Sequence, residues 1–93
     1  MSDIDDISIN YEDENGVLKV KEIKKEILTR GSWTTIMFVY QDFLASKDEF
    51  GPEKITIRRY RKINDRYVQQ SKFNISGAEQ GKKIADIIYK WTG

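Results

Sequence analysis

The sequence predicts an α+β domain of four antiparallel strands followed by one C-terminal helix that covers one face of the sheet. Three observations predict it. Ser32–Phe43 is dense in β-branched and aromatic residues, the composition of a strand. Lys54–Arg61 alternates, with Ile55 and Ile57 on one parity and Lys54, Thr56, Arg58 and Tyr60 on the other. Ile84, Ile87, Ile88 and Trp91 recur at helical spacing and make one apolar stripe.

Taken in chain order, residues 1–15 read as an acidic, flexible arm, poor in apolar residues and closed by the turn signal Asn15-Gly16. Residues 16–93 read as the folded domain. Its first element, Val17–Arg30, is two-sided in pattern. Val20, Ile23 and Ile27 have helix-like spacings, whereas Val17, Leu18, Ile27, Leu28 and Thr29 suit a strand. Arg30-Gly31-Ser32 is a turn, and the second strand, apolar on both parities from Ile36 to Tyr40, is expected to be covered on both sides. Residues 44–53 form a loop punctuated by Gly51-Pro52. The third strand follows, then a turn at Ile63-Asn64-Asp65-Arg66, then a fourth strand through Ile75. Ser76 with Glu79 fits a capping box at the start of the helix. Gly77 and Gly81 weaken its first turns, by roughly 1 kcal/mol each relative to Ala in a helix interior.

Composition narrows the chemistry. The 93 residues suit one small domain, and small domains are marginally stable alone, a deficit that dimerisation commonly offsets. The chain has neither cysteine nor histidine. Disulfides and thiolate metal sites are therefore excluded, and so are the usual general base and the commonest metal ligand. No nucleophile elbow, phosphate loop or metal spacing occurs, and the expectation is a non-enzyme without cofactor. No apolar run approaches the roughly 18 to 20 residues that span a bilayer, and the acidic start does not resemble a signal peptide. A soluble, intracellular protein is expected.

The formal net charge of +1 conceals a segregation. Six acids and no base lie in the first 16 residues, which leaves all 16 bases facing the nine other acids of the 15. A basic body with an acidic arm suggests a polyanionic partner. Single-stranded nucleic acid needs cations for its phosphates and flat rings for its unstacked bases, and an open sheet face can present both. Lys54, Arg58 and Tyr60 share such a face. Arg59 and Arg61 have the parity of Ile55 and Ile57, so the strand either bends there or ends in solvent. Lys72 on the fourth strand and Lys47, Lys62 and Arg66 in loops add charge. Phe38, Tyr40 and Phe73 sit among Ile and Val and read as core. Trp33 and Phe43, at the ends of the second strand, suit packing or base stacking equally. Trp91 closes the helix stripe as core or dimer interface.

The order of these motifs resembles the positive cofactor four family of single-strand DNA-binding transcriptional coactivators, especially its short bacterial and phage members. The carriers are Ile55-Thr56-Ile57-Arg58-Arg59-Tyr60, Ser32-Trp33-Thr34 at the start of the second strand, Asp42-Phe43 at its end, and Phe73-Asn74-Ile75-Ser76 before the helix. The resemblance covers roughly residues 17 to 91. It implies a curved four-stranded sheet with a C-terminal helix, a homodimer with Ile84, Ile88 and Trp91 at the interface, and channels for single-stranded DNA. It implies phosphate contact at Arg58 and stacking at Phe43. Arg61 stands where some relatives have a stacking Trp, and an arginine plane can stack too. Lys72 is displaced by one residue from the family's lysine, and Gln70 replaces a further base. Transcription, replication or recombination is the implied setting, with proteins of those processes as further partners and no membrane. The implied location is cytoplasmic and nucleoid-associated, in a host cytoplasm if phage-encoded. The alternative is a module whose basic sheet docks an acidic protein, or an RNA-binding sheet. On either nucleic-acid reading the acidic arm is a solubilising tail or a tethered competitor for the channel.

Overall fold

A computed structural model describes residues 4–93. The described residues build one curled, wholly antiparallel sheet, one α-helix and a single 3-10 turn at Ile4–Asp6. The strands are β1 (Tyr11–Glu12), β2 (Leu18–Thr29), β3 (Trp33–Leu44), β4 (Glu49–Phe50), β5 (Lys54–Ile63) and β6 (Arg66–Ile75); the helix is α1 (Ala78–Thr92). They lie in the order β1-β2-β3-β5-β6, with β4 paired to the far end of β3. Four strands are long, as expected. The other two, β1 and β4, span two residues each, too short to leave a periodic signal in the sequence.

The two parities of β3 define two faces. Thr34, Ile36, Phe38 and Tyr40 point to one, where all four are buried. Thr35, Met37 and Val39 point to the other, where they are half-buried. The first face is closed by the N-terminal segment. Ile4 and Ile9 are buried against Ile36, Phe38, Tyr40 and Tyr60, and Ile7, Val20, Ile27 and Tyr67 complete the cluster. We call it the arm face. The arm therefore differs from the expected loose tail: its isoleucines, diluted among aspartates in the sequence, supply part of the main core. Each buried isoleucine contributes about 1.5–3 kcal/mol relative to exposure. The expectation for residues 1–3 lies outside the described residues.

The strand-or-helix ambiguity of Val17–Arg30 has a structural cause. β2 pairs with β3 through Glu22↔Tyr40 and then Lys24↔Val39, so Ile23 is an extra residue. A bulge of this kind reverses the alternation. Val20 and Glu22 before it, and Lys25 and Ile27 after it, thus all face the arm. Val20 and Ile27 lie seven positions apart, a helical interval that only an inserted residue makes compatible with one sheet face. A second shift, between Ile27 and Thr29, makes Leu28 an extra residue, and it lines the groove on the helix side.

The β5–β6 hairpin turns at Asn64 (φ 50°) and Asp65 (φ 63°), flanked by the pair Ile63↔Arg66. Two consecutive left-handed residues match the right-handed twist of the strands. Asp65→Gly is expected to stabilise the domain by about 0.5–1 kcal/mol, because glycine adopts that conformation without a Cβ penalty. Chemical denaturation measures it, and a lower midpoint would contradict the turn geometry.

The helix packs on the opposite face, against β5 and β6, and we call this the helix face. Gly81 permits the approach: a Cβ there would meet Ile55 Cδ1 at 3.1 Å. Ile55 and Ile57 do point to the helix side, as expected. The cover is thin, however. No helix residue is buried, and an apolar groove of about 490 Å³ remains, lined by Leu28, Met37, Ile55, Ile57, Ile84 and Ile88 among others. Phe73 projects on this face at 55 % exposure and is not core within one chain, a correction that follows from its place on the sheet's outer strand. The capping box is also corrected. Gly77 is the N-cap without a side-chain bond, and Gln80 rather than Glu79 accepts from the Ser76 N–H at 2.9 Å.

Candidate nucleic-acid interface

The basic residues of β5 and β6 are set by register. Lys54, Thr56, Arg58 and Tyr60 alternate onto the arm face, opposite Tyr40, Phe38, Ile36 and Thr34 of β3. On the other side of β5, Lys72 lies directly across from Arg58, and Asn74 across from Thr56. Thr56 is buried and donates to Asn74 Oδ1 at 2.7 Å, which holds the polar pair in place. A bulge in β6 at Gln70 brings Gln69 opposite Tyr60, where its Oε1 accepts from Arg58 Nη1 at 3.1 Å.

Arg58 and Lys72 are like charges in directly opposed positions, an arrangement that opposes folding. Among the described residues no ion pair neutralises either one. Arg58 Nε is moreover buried with no hydrogen-bond partner. An unpaired buried donor costs about 1–3 kcal/mol, and such positions are uncommon in folded proteins. Lys54 is differently placed. Its Nζ donates to Asp42 Oδ2 at 3.0 Å, and that bond with its ion pair holds the ammonium pKa above the ordinary lysine value.

The expected site residues divide between the two faces. Lys54, Arg58, Tyr60 and Lys72 share the arm face; Trp33, Phe43 and Arg61 belong to the helix face. Tyr60 is corrected from an open stacking ring to a core residue, 6 % exposed beneath the arm. Burial pushes its hydroxyl pKa up against the opposing pull of Arg58. Trp33 is 40 % exposed and carries two guanidinium groups, Arg59 at 4.3 Å and Arg61 at 5.2 Å from the ring. The two arginines therefore keep the parity of Ile55 and Ile57, with an indole beneath them. Phe43 packs edge-to-face on Phe50 at 5.5 Å, with the Lys19 ammonium 5.0 Å from its ring. The three interface candidates on α1 also differ. Ile84 and Ile88 line the groove, whereas Trp91 stands 80 % exposed.

Sequence reasoning missed Arg59 as a partner of Trp33, Phe50 as a partner of Phe43, and Lys25. The first two needed strand register. The parity of Lys25 is hidden by the bulge at Ile23. Among the described residues no group of three or more potential ligands gathers as a metal centre, and no helix is long and apolar enough to cross a membrane.

Fold and site together define a class: a curled antiparallel sheet with one C-terminal helix and a cationic β5–β6 hairpin. Comparison with protein-family models, curated proteins and solved structures finds no match.

Proposed function

We propose that this chain is a homodimeric, sequence-tolerant single-strand DNA-binding protein that acts as a transcription cofactor or in replication or recombination. The observation that carries the reading is the opposed pair Arg58, half-buried, and Lys72, exposed, at the β6 side of the arm face, without a neutralising acid among the described residues. A phosphodiester between them relieves their repulsion, and the exposed Gln69 and Asn74 supply polar groups beside it. Sequence tolerance follows from phosphate contact and stacking, which do not depend on which base is present.

Dimerisation is supported by the helix face. Ile88 (53 %) and Leu28 (49 %) are exposed in the lining of one apolar groove, and Phe73 (55 %) and Trp91 (80 %) are exposed on β6 and α1 outside that lining. A second copy that lays its own α1 and β6 there buries these side chains in both chains at once, the self-complementary geometry of a twofold interface.

Titration with oligo-dT across a salt series tests the function. Affinity is expected to fall steeply from low to moderate salt as bound counterions are released. A flat salt response would remove the phosphate account. Preference for oligo-U over oligo-dT would redirect the reading to RNA. Sizing of the same sample is expected to give a dimer, and a monomer at every concentration would retire the helix-face interface.

A further inference from the structure

The arm lies on the face that the proposed function assigns to a single strand. Residues 4–10 cross it without joining the sheet: they form one short turn at Ile4–Asp6 and an extended run, and strand pairing begins only at Tyr11. Side chains do the holding. Ile4, Ile7 and Ile9 meet Phe38, Tyr40 and Tyr60 in the core cluster. The Lys25 ammonium donates to three arm carbonyls, those of Ile4 (2.9 Å), Asp5 (3.0 Å) and Ile7 (2.6 Å). All three of its N–H donors are thus engaged by one segment. Glu22 adds two bonds: its carboxylate accepts from the Ile9 N–H at 3.3 Å, and its own N–H donates to Asn10 Oδ1 at 2.7 Å. Downstream, Asp13–Gly16 forms a tight turn that ties the segment to β2.

What lies under and beside the arm has the composition of a stacking platform. Phe38, Tyr40 and Tyr60 are the rings, and Lys25, Lys54, Arg58 and Lys72 are the cations of the same face. The arm itself presents acids, Asp5 and Asp6, on an apolar stem. It therefore offers the rings the apolar bulk of a single strand and sets carbonyl oxygens on Lys25 where a strand would set phosphate oxygens, while Asp5 pairs with Arg30 at 3.7 Å.

We infer that the segment Ile4–Asn10 is a tethered occupant of the single-strand site: a strand binds fully only as the arm leaves, and Lys25, released from the three carbonyls, becomes a phosphate contact. The inference rests on the single-strand reading and adds to it a built-in competitor and a binding residue. Only the fraction of chains with the arm released takes the strand in its full footprint, so apparent affinity scales with that fraction.

The test uses the full chain and hydrogen–deuterium exchange with oligo-dT as the probe. Binding is expected to accelerate exchange across residues 4–10 while β3 and β5 stay protected. In parallel, Ile9→Asp, which unseats the arm, is expected to tighten oligo-dT binding by about tenfold. Lys25→Gln placed in the Ile9→Asp background is expected to reverse part of that gain. If oligo-dT binds the parent chain while residues 4–10 keep their protection, the inference fails and the single-strand reading stands. If neither the parent nor Ile9→Asp binds, both fail. Should Ile9→Asp not fold, as judged by circular dichroism, the exchange result on the parent decides alone.

Discussion

Phe38→Ala is expected to destabilise the domain by about 3–5 kcal/mol, the range for deleting a fully buried aromatic ring. Phe38 is 0 % exposed at the centre of the arm face, with Ile4 and Ile9 above it and Ile36, Tyr40 and Tyr60 around it. The cavity would open between sheet and arm, so the loss includes contacts from both. A domain of this length is stabilised by roughly 5–14 kcal/mol in all. The melting temperature should therefore fall on the order of 20 °C. Phe73→Ala is the matched control, the same deletion on the other face. At 55 % exposure in the single chain it should cost little in a monomer. In the proposed dimer its cost should grow with protein concentration, because the ring is then buried by the second copy. Thermal melts of both variants at two concentrations separate the cases. Equal losses for the two would mean that the arm face is not the main core.

The second large effect is on binding. The double variant Arg58→Gln, Lys72→Gln is expected to weaken oligo-dT binding by roughly tenfold to a hundredfold at low salt, as two phosphate contacts are lost. The slope of log affinity against log salt should flatten by about 1.4, two contacts at roughly 0.7 each for a single strand. Stability should hold or rise, since the substitution removes two opposed like charges and a buried guanidinium Nε without a partner. A fall in affinity together with a fall in melting temperature would mean that the variant acts through the fold. Unchanged affinity in a stable variant would move the site off the arm face, with the Trp33, Arg59 and Arg61 cluster the next candidate.

The sequence made much of this legible, because much of it is local. Ile55 and Ile57 alternate with Arg58 and Tyr60, and the strand does carry them on opposite faces. Ile63-Asn64-Asp65-Arg66 forms the turn its residue types favour, since Asn and Asp tolerate positive φ. Residues Ala78–Thr92 form the helix that the Ile84, Ile87, Ile88 and Trp91 stripe announces. The failures are non-local. The spacing of Val20 and Ile27 looked helical because a bulge is invisible until a partner strand defines the register. Arg61 has the parity opposite to Arg58 and Tyr60 already in the sequence, but that Trp33 shares the face of Arg61 rather than that of Arg58 is set by the pairing of β3 with β5. Tyr60 shares its face with Arg58 as expected, yet the segment that buries it lies far away in the chain.

By itself, then, the sequence determined the order of the three later long strands and the helix, the Asn64-Asp65 turn and the two parities of β5, because these follow from the conformational preferences of neighbouring residues. Tertiary structure alone decided which face is closed and which is left open. The arm is rich in aspartate, and its composition argues for solvent. Three isoleucines and the Lys25 ammonium outweigh that composition, because the sheet offers them a matched apolar face and a donor within reach of three carbonyls. Burial is a property of what lies opposite a side chain, and in this protein what lies opposite comes from the other end of the fold.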